Sequence, residues 1–204
     1  MLRKIQAAKP TARGFKGEGF PLPGGDSTCD SGVSECTRAV EYPFQKLFPS
    51  QLKKDDTFFM AQAYNEAIDA YGENEIPVGA VIVYGEAIIG AAHNRVMALK
   101  DPTAHAEILA ITQAARKISD WRLNGAKLYV TKEPCPMCSG AVIMARIGEV
   151  IYGFRDPKMG CLGGAISLRD LPEVNHRPTI KGDVLREACY GLMRHFFETK
   201  RKDS

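Results

Sequence analysis

The chain has 204 residues, 45% hydrophobic and 25% charged, the balance of an ordinary globular domain with some length to spare. Its 27 basic and 24 acidic residues leave a net charge of +3, which neither requires nor excludes a nucleic-acid partner. No apolar run approaches the roughly 18 residues of a membrane helix, so no membrane-spanning segment is expected.

The N-terminus lacks the apolar core of a secretory signal. Its first 17 residues carry Arg3, Lys4, Lys9, Arg13 and Lys16 and no acid. That composition fits a transit peptide, a plain basic tail or an early start codon; the dense Gly and Pro and the lack of an amphipathic period favour the last two. Gly14 to Gly25 reads as loop. Cys29 and Cys36 follow with no histidine or further cysteine nearby, and read as incidental thiols. Residues 1–54 are therefore expected to form a low-order extension, and 55–204 the folded domain.

Asp55-Asp56 should cap a first helix in which Met60, Tyr64, Ala67, Ile68 and Tyr71 recur at helical spacing, with Gly72 as its stop. Pro77 to Val83 reads as a buried strand, Gly85-Glu86 as a hairpin turn, and Ala87 to Ala92 as the returning strand. A helix is predicted over Ala104–Ile118 with Ile108, Ile111 and Ala115 inward, then a strand over Ala126–Thr131. Pro134 suits the first turn of a helix running to about Arg146. Val150–Phe154 is a fourth strand, Ser167–Leu171 a short helix after a Gly-rich loop, and Thr179–Gly182 a fifth strand. Val184–Lys202 closes the chain as an amphipathic helix with Leu185, Cys189, Leu192 and Phe196 inward. This order implies an α/β fold with helices on the faces of one sheet, and the starts of the two central helices side by side at one sheet edge.

Two segments carry chemistry: Thr103-Ala-His-Ala-Glu107 and Glu133-Pro-Cys-Pro-Met-Cys138. Cys135 and Cys138 are spaced to face one side of a first helical turn. With His105 they offer one imidazole and two thiolates, a set that suits zinc and leaves a fourth position open, as in catalytic sites. Zinc there would activate a water at neutral pH, and Glu107 would take its proton and deliver it to the ring and the leaving group. A C-x-x-C alone could be a redox pair, and an H-x-E alone means little. The two together, each at a predicted helix start, form the pattern of zinc-dependent nucleobase deaminases. Cys161, Cys189, His93, His176 and His195 are read as packing, loop or surface residues. Six cysteines are too few for a disulfide scaffold and point to a reducing compartment, most simply the cytoplasm.

From about residue 56 to 200 the chain also resembles the tRNA-specific adenosine deaminases of bacteria. The resemblance rests on Asp101-Pro-Thr-Ala-His-Ala-Glu-Ile108, Pro77-Val-Gly-Ala80, Asn94, Tyr129-Val-Thr131, Pro134-Cys-Pro-Met-Cys-Ser-Gly-Ala141, Arg146-Ile147, Gly153, Asp156-Pro-Lys158 and Asn175-His-Arg177. It implies a three-layer cytidine-deaminase-like fold with a central mixed five-stranded sheet, one zinc per subunit, a homodimer, and conversion of the wobble adenosine of an arginine tRNA anticodon loop to inosine. By the same resemblance Asn94 and the Ala106 backbone would hold the flipped-out base, while Asp156, Lys158 and Asn175 would contact nucleotides around it. Phosphates need cations, for which Arg155, Lys158, Arg194, Lys200, Arg201 and Lys202 are candidates. The chain departs from the family at Lys132, where an apolar residue is usual, and at Gly164, where Ser is common. The alternatives are a deaminase of a free base or nucleoside such as guanine or cytosine, a non-catalytic zinc module, and a thiol redox protein. Glu107 argues against the non-catalytic module, and the basic final helix against a free-base enzyme.

Overall fold

Asp55 starts the first helix as expected: its side chain accepts a hydrogen bond from the Phe58 N–H at 3.0 Å. The computed structural model of the protein describes residues 43–202. The basic run to Lys16, the Gly14–Gly25 stretch, Cys29 and Cys36 lie outside the described residues. Helix α1 spans Asp56–Gly72. Gly72 ends it but does not take the left-handed turn expected of it; Asn74 does, at φ 62.

Strand β1 (Gly79–Tyr84) starts two residues later than expected, because Pro77 has no N–H to give a ladder. Gly85-Glu86 makes the turn into β2 (Ala87–His93). A short helix α2 (Val96–Leu99) follows, with no counterpart in the sequence reading. Helix α3 runs over Ala106–Ile118 with His105 at its N-cap, and β3 over Lys127–Lys132. Helix α4 covers Pro136–Met144, so Pro136 and not Pro134 occupies its first turn, after Cys135 as N-cap. Strand β4 (Glu149–Phe154), a 3₁₀ turn at Leu168–Asp170, β5 (Thr179–Lys181) and α5 (Arg186–Lys202) complete the order. Leu185 stands outside α5 at φ 54, and Met193 joins Cys189, Leu192 and Phe196 on its buried face.

The five strands form one mixed sheet, in the order β2-β1-β3-β4-β5. The pairs β1–β2 and β1–β3 are antiparallel, while β3–β4 and β4–β5 are parallel. Strand alternation divides the core into two. Ala80, Ile82, Leu128, Val130 and Val150 face α3 and α4; Val81, Val83, Tyr129 and Ile151 face α1 and α5. The expected three-layer α/β architecture is therefore the observed one.

The inner face of α3 differs from the expectation. Ala106, Glu107, Ala110 and Ala114 are buried, whereas Ile108, Ile111 and Ala115 are only half-buried. The cause is close packing: a Cβ placed on Gly90 of β2 would lie 2.4 Å from the Ala110 carbonyl oxygen. Only small side chains fit where helix and strand approach this nearly, so the alanines take the centre of the face and Ile111 packs at its margin.

Packing begins before α1. The Leu47 N–H donates to Asn65 Oδ1 at 2.7 Å and Asn65 Nδ2 donates back to the Leu47 carbonyl at 2.8 Å. Phe44 meets the rings of Tyr71 and His195 edge-on, at 6.4 and 5.4 Å. Residues 44–47, assigned above to the extension, thus pack on the folded domain. Among the described residues no helix is long and apolar enough to cross a membrane.

Asp56 ties the first helix to the sheet, accepting from Tyr129 Oη at 2.8 Å and from Lys181 Nζ at 2.5 Å. Burial alone would push its carboxyl up; Lys181 and Tyr129 outweigh that and hold it below 3.8. A carboxylate depressed by folding stabilises the fold above its unfolded pKa, and the contribution is lost as pH falls through the folded one. We expect Asp56→Asn to lower the Tm at neutral pH, and the gap to wild type to shrink progressively below pH 3.8 in thermal melts taken across the acid range.

Candidate active site

The two extended N-cap residues, His105 (ψ 151) and Cys135 (ψ 176), put their side chains at the mouths of α3 and α4. Cys138 lies in the first turn of α4 and is fully buried. His105 Nδ1 is 3.7 Å from Cys135 Sγ and 3.5 Å from Cys138 Sγ. A tetrahedral ion with zinc–sulfur and zinc–nitrogen bonds of ordinary length would set such N···S separations at roughly 3.6 Å. The donor set and its spacing therefore fit a metal, and the ligand atoms all lie within 4.8 Å of one another.

The hydrogen bond from Cys138 draws the Cys135 thiol down to about 4, and the same bond pushes Cys138 up. Metal binding at such a pair requires both sulfurs as thiolates and so releases their protons. The N-terminal ends of α3 and α4 add positive potential that favours thiolate. Glu107 is 4% exposed, and desolvation raises its carboxyl above the ordinary glutamate value.

These groups open onto a cleft of about 360 Å³, also lined by Glu75, Asn94, Met97, Lys132, Glu133, Phe196 and Lys200. Asn94 is 5% exposed, and its Nδ2 donates to Glu75 Oε2 at 3.0 Å. The other Glu75 oxygen accepts from the Ala98 N–H at 2.8 Å. Glu75 thereby fixes the amide of Asn94 and the start of α2 together. Ala106, buried at the first position of α3, has one of the N–H groups a helix leaves without an internal acceptor.

Glu133 is a third buried acid, with no ion-pair partner among the described residues. Its Oε2 accepts from the Asp156 N–H at 3.0 Å, and its Oε1 from Leu162 and Gly164 N–H at 3.0 and 2.7 Å. Here the departure at Gly164 has a steric reason: a Cβ would lie 2.3 Å from the Asp156 carbonyl oxygen and 2.4 Å from Glu133 Oε2. Lys132, the other departure, pairs with Asp156 at 2.6 Å.

The remaining sequence candidates stand outside the cleft. Asp156 is buried at its edge through Lys132 and Glu133, and its Oδ1 accepts from the Lys158 and Met159 N–H groups. Lys158 and Arg155 are exposed, and Arg155 donates to the Gly163 carbonyl. Asn175 is exposed at the far end of α4, where its carbonyl accepts from Arg146 Nη1 at 3.1 Å. Of the basic final helix, Lys200 reaches the cleft lining, while Arg194 pairs with Glu198 at 3.6 Å. His195 packs against Phe44, and Cys161 and Cys189 are buried free thiols, as the sequence reading expects. That reading passes over Glu75, Glu133 and Met97. Glu133 sits inside the cysteine motif and was there to be found; nothing adjoining Glu75 marks it.

Residues 54–197 match the MafB19-like deaminase family. The tRNA-specific adenosine deaminase of Bacillus subtilis (strain 168) is 43% identical over 147 residues, 72% of this chain and 91% of that protein. The one from Aquifex aeolicus (strain VF5) is 44% identical over 146 residues, 72% and 96% of the two chains. A solved tRNA:A34 deaminase, from work on A-to-I editing at the wobble position of transfer RNA, superposes at TM-score 0.63 and 38% identity, covering 67% of this chain and 99% of its own. A guanine deaminase from Nitrosomonas europaea, at TM-score 0.57 and 22% identity over 71% and 85% of the chains, shares the fold. Fold, cluster and family match together define a deaminase of the cytidine-deaminase-like kind. Over nearly the full length of its relatives, this chain belongs to the tRNA-specific adenosine deaminase family.

Glu133 generates a test of the scaffold under the site. In Glu133→Gln an amide NH₂ must face backbone N–H donors, and the charge assistance of the surviving bonds is lost. We expect a loss of about 1.5–3 kcal/mol in urea unfolding, as for hydrogen bonds to a charged acceptor.

Proposed function

We propose that this protein hydrolyses the adenosine at the wobble position of an arginine tRNA anticodon to inosine and ammonia, with zinc held by His105, Cys135 and Cys138. The observation that carries the reading is the imidazole nitrogen 3.5 and 3.7 Å from two cysteine sulfurs, beside the buried carboxylate of Glu107. When bound, zinc supplies the Lewis acidity that makes water a nucleophile at neutral pH.

The chain's own groups do the rest. Glu107 carries protons between the attacking water, the purine ring nitrogen and the departing amine, and its burial favours the protonated form needed for delivery. Asn94, held by Glu75, and the Ala106 N–H at the start of α3 are assigned to the polar edge of the base. The walls exclude bulk water, so a base must leave its stack to enter; an anticodon loop allows this at small cost. Asp156, Lys158 and Asn175, outside the cleft, are assigned to nucleotides flanking the target. A tRNA substrate and the free thiols Cys135, Cys138, Cys161 and Cys189 support a cytoplasmic location.

The test is incubation of the zinc-loaded chain with an arginine anticodon stem-loop, reading inosine by sequencing. Wild type should convert the wobble adenosine, and Glu107→Ala should lose at least about 100-fold in rate, the usual scale for removing a general acid–base group, while retaining zinc. Absence of conversion by zinc-bound wild type would overturn the RNA reading in favour of free bases or nucleosides.

The same reading includes a homodimer. Met144 on α4 is 75% exposed, and Ile166 and Leu171, beside the 3₁₀ turn that packs on α4, are 55% and 47% exposed. An apolar surface of this kind suits a partner subunit. Sedimentation at micromolar concentration should give twice the 22.4 kDa chain mass, reduced toward one chain by Met144→Asp. A monomeric wild type would exclude the dimer.

A further inference from the structure

We propose that Lys132 is a phosphate contact for the RNA strand whose base enters the cleft, poised there by Asp156; the proposal rests on the RNA reading above. Lys132 is the last residue of β3 and lines the same cleft as Asn94, Glu107 and Cys135. Its ammonium lies 2.6 Å from Asp156 Oδ2, with the two side chains 29% and 11% exposed.

Asp156 is a fixed anchor for this ammonium. Its Oδ1 accepts from the Lys158 and Met159 N–H groups at 2.9 and 3.2 Å, and its own N–H donates to buried Glu133. With Oδ1 held by two backbone N–H groups and the main chain of Asp156 tied to Glu133, the carboxylate is fixed in place and sets where the ammonium stands. One of the three ammonium protons satisfies Asp156, and the others remain to be offered to a second acceptor.

The chemistry of the cleft indicates what that acceptor is. Glu75 and Glu133 are satisfied from within the protein, so neither needs Lys132. A free purine base brings no charge for a cation to meet. The same base in a strand brings a phosphodiester on each side, which an ammonium at the wall of the cleft, on a side chain 29% exposed, is placed to meet. Lys132 therefore favours a base carried on a strand over the base alone. An apolar residue at this position would line the wall equally well and lack that preference.

The experiment uses the full chain, zinc-loaded, with an arginine anticodon stem-loop, comparing wild type, Lys132→Leu and Lys132→Arg over a salt series. For Lys132→Leu we expect KM to rise roughly threefold to tenfold at moderate salt with kcat little changed. The plot of log(kcat/KM) against log salt should become shallower by about 0.7, the value for one phosphate contact on a single strand. Lys132→Arg should restore both, and zinc content should be equal in all three. A wild-type salt slope in Lys132→Leu would overturn the phosphate contact, even if KM rose, because a reshaped wall raises KM without altering the slope. If zinc-bound wild type converts no stem-loop at all, the RNA reading and this contact fall together; conversion with an unaltered slope removes the contact alone.

Discussion

The triple hydrogen bond at Glu133 is the joint from which the site hangs. This carboxylate stands between the end of β3 and the start of α4, and it gathers amides from the exit of β4 and from the glycine-rich loop. Those segments are separated in sequence by about a helix and a strand, yet one buried charge fixes them all. Cys135 follows two residues later, so its position relative to His105 inherits this register. The parallel pairing of β3 with β4 brings the loop into range, and the Lys132↔Phe154 register holds the two strand ends level. Metal-ligand geometry tolerates errors of a few tenths of an ångström. A start of α4 held only by side-chain packing would not meet that tolerance as securely as one held by charge-assisted bonds.

Three buried glutamates face one cleft, and their surroundings give them separate roles. Glu75 and Glu133 accept backbone N–H groups from other segments, which fixes them as structural acceptors. Glu107 is different: its hydrogen bonds come from its own backbone and from Cys138, within the metal-binding cluster. Desolvation is the leading influence on it, so it takes up a proton more readily than a solvated glutamate. A carboxyl whose burial favours the protonated form is suited to delivering a proton as well as taking one up. Burial alone does not distinguish a catalytic carboxylate from a scaffold one; the origin of its hydrogen bonds does.

The five strands, the main helices and the His105, Glu107, Cys135, Cys138 set were legible in the sequence, because hydrophobic alternation and ligand spacing are local signals. What was not legible depends on contacts distant in the chain. The centre of the inward face of α3 is set by Gly90, whose missing side chain admits Ala110, and Ile111 packs against the core at its margin. Pro134 was taken for the helix start because both flanking prolines suit that place; the structure gives it to Pro136. Residues 44–47 read as tail from sequence, and the two-way clasp of Leu47 by Asn65, the Lys46–Asp69 pair and the ring contacts of Phe44 attach them. Glu75 was silent because a lone acid after a helix is ordinary, and its meaning comes from Asn94, nineteen residues later.

The floor and the rim of the cleft answer different chemical questions. The floor, with His105, Glu107 and the two cysteines, needs to present the same groups to any amino-substituted base. Nothing in it distinguishes a free base from one on a strand. That distinction belongs to the rim, where charge can meet what lies beyond the base: Lys132 on β3 and Lys200 on α5. Lys132 and Lys200 come from separate elements and stand over glutamates whose oxygens accept hydrogen bonds from within the protein. A net charge of only +3 conceals this, since recognition of a phosphate strand depends on where the cations stand. The two departures from the family pattern follow the same division: Gly164 serves the scaffold under the floor, where no side chain fits, and Lys132 changes the rim, where an added charge can select the substrate.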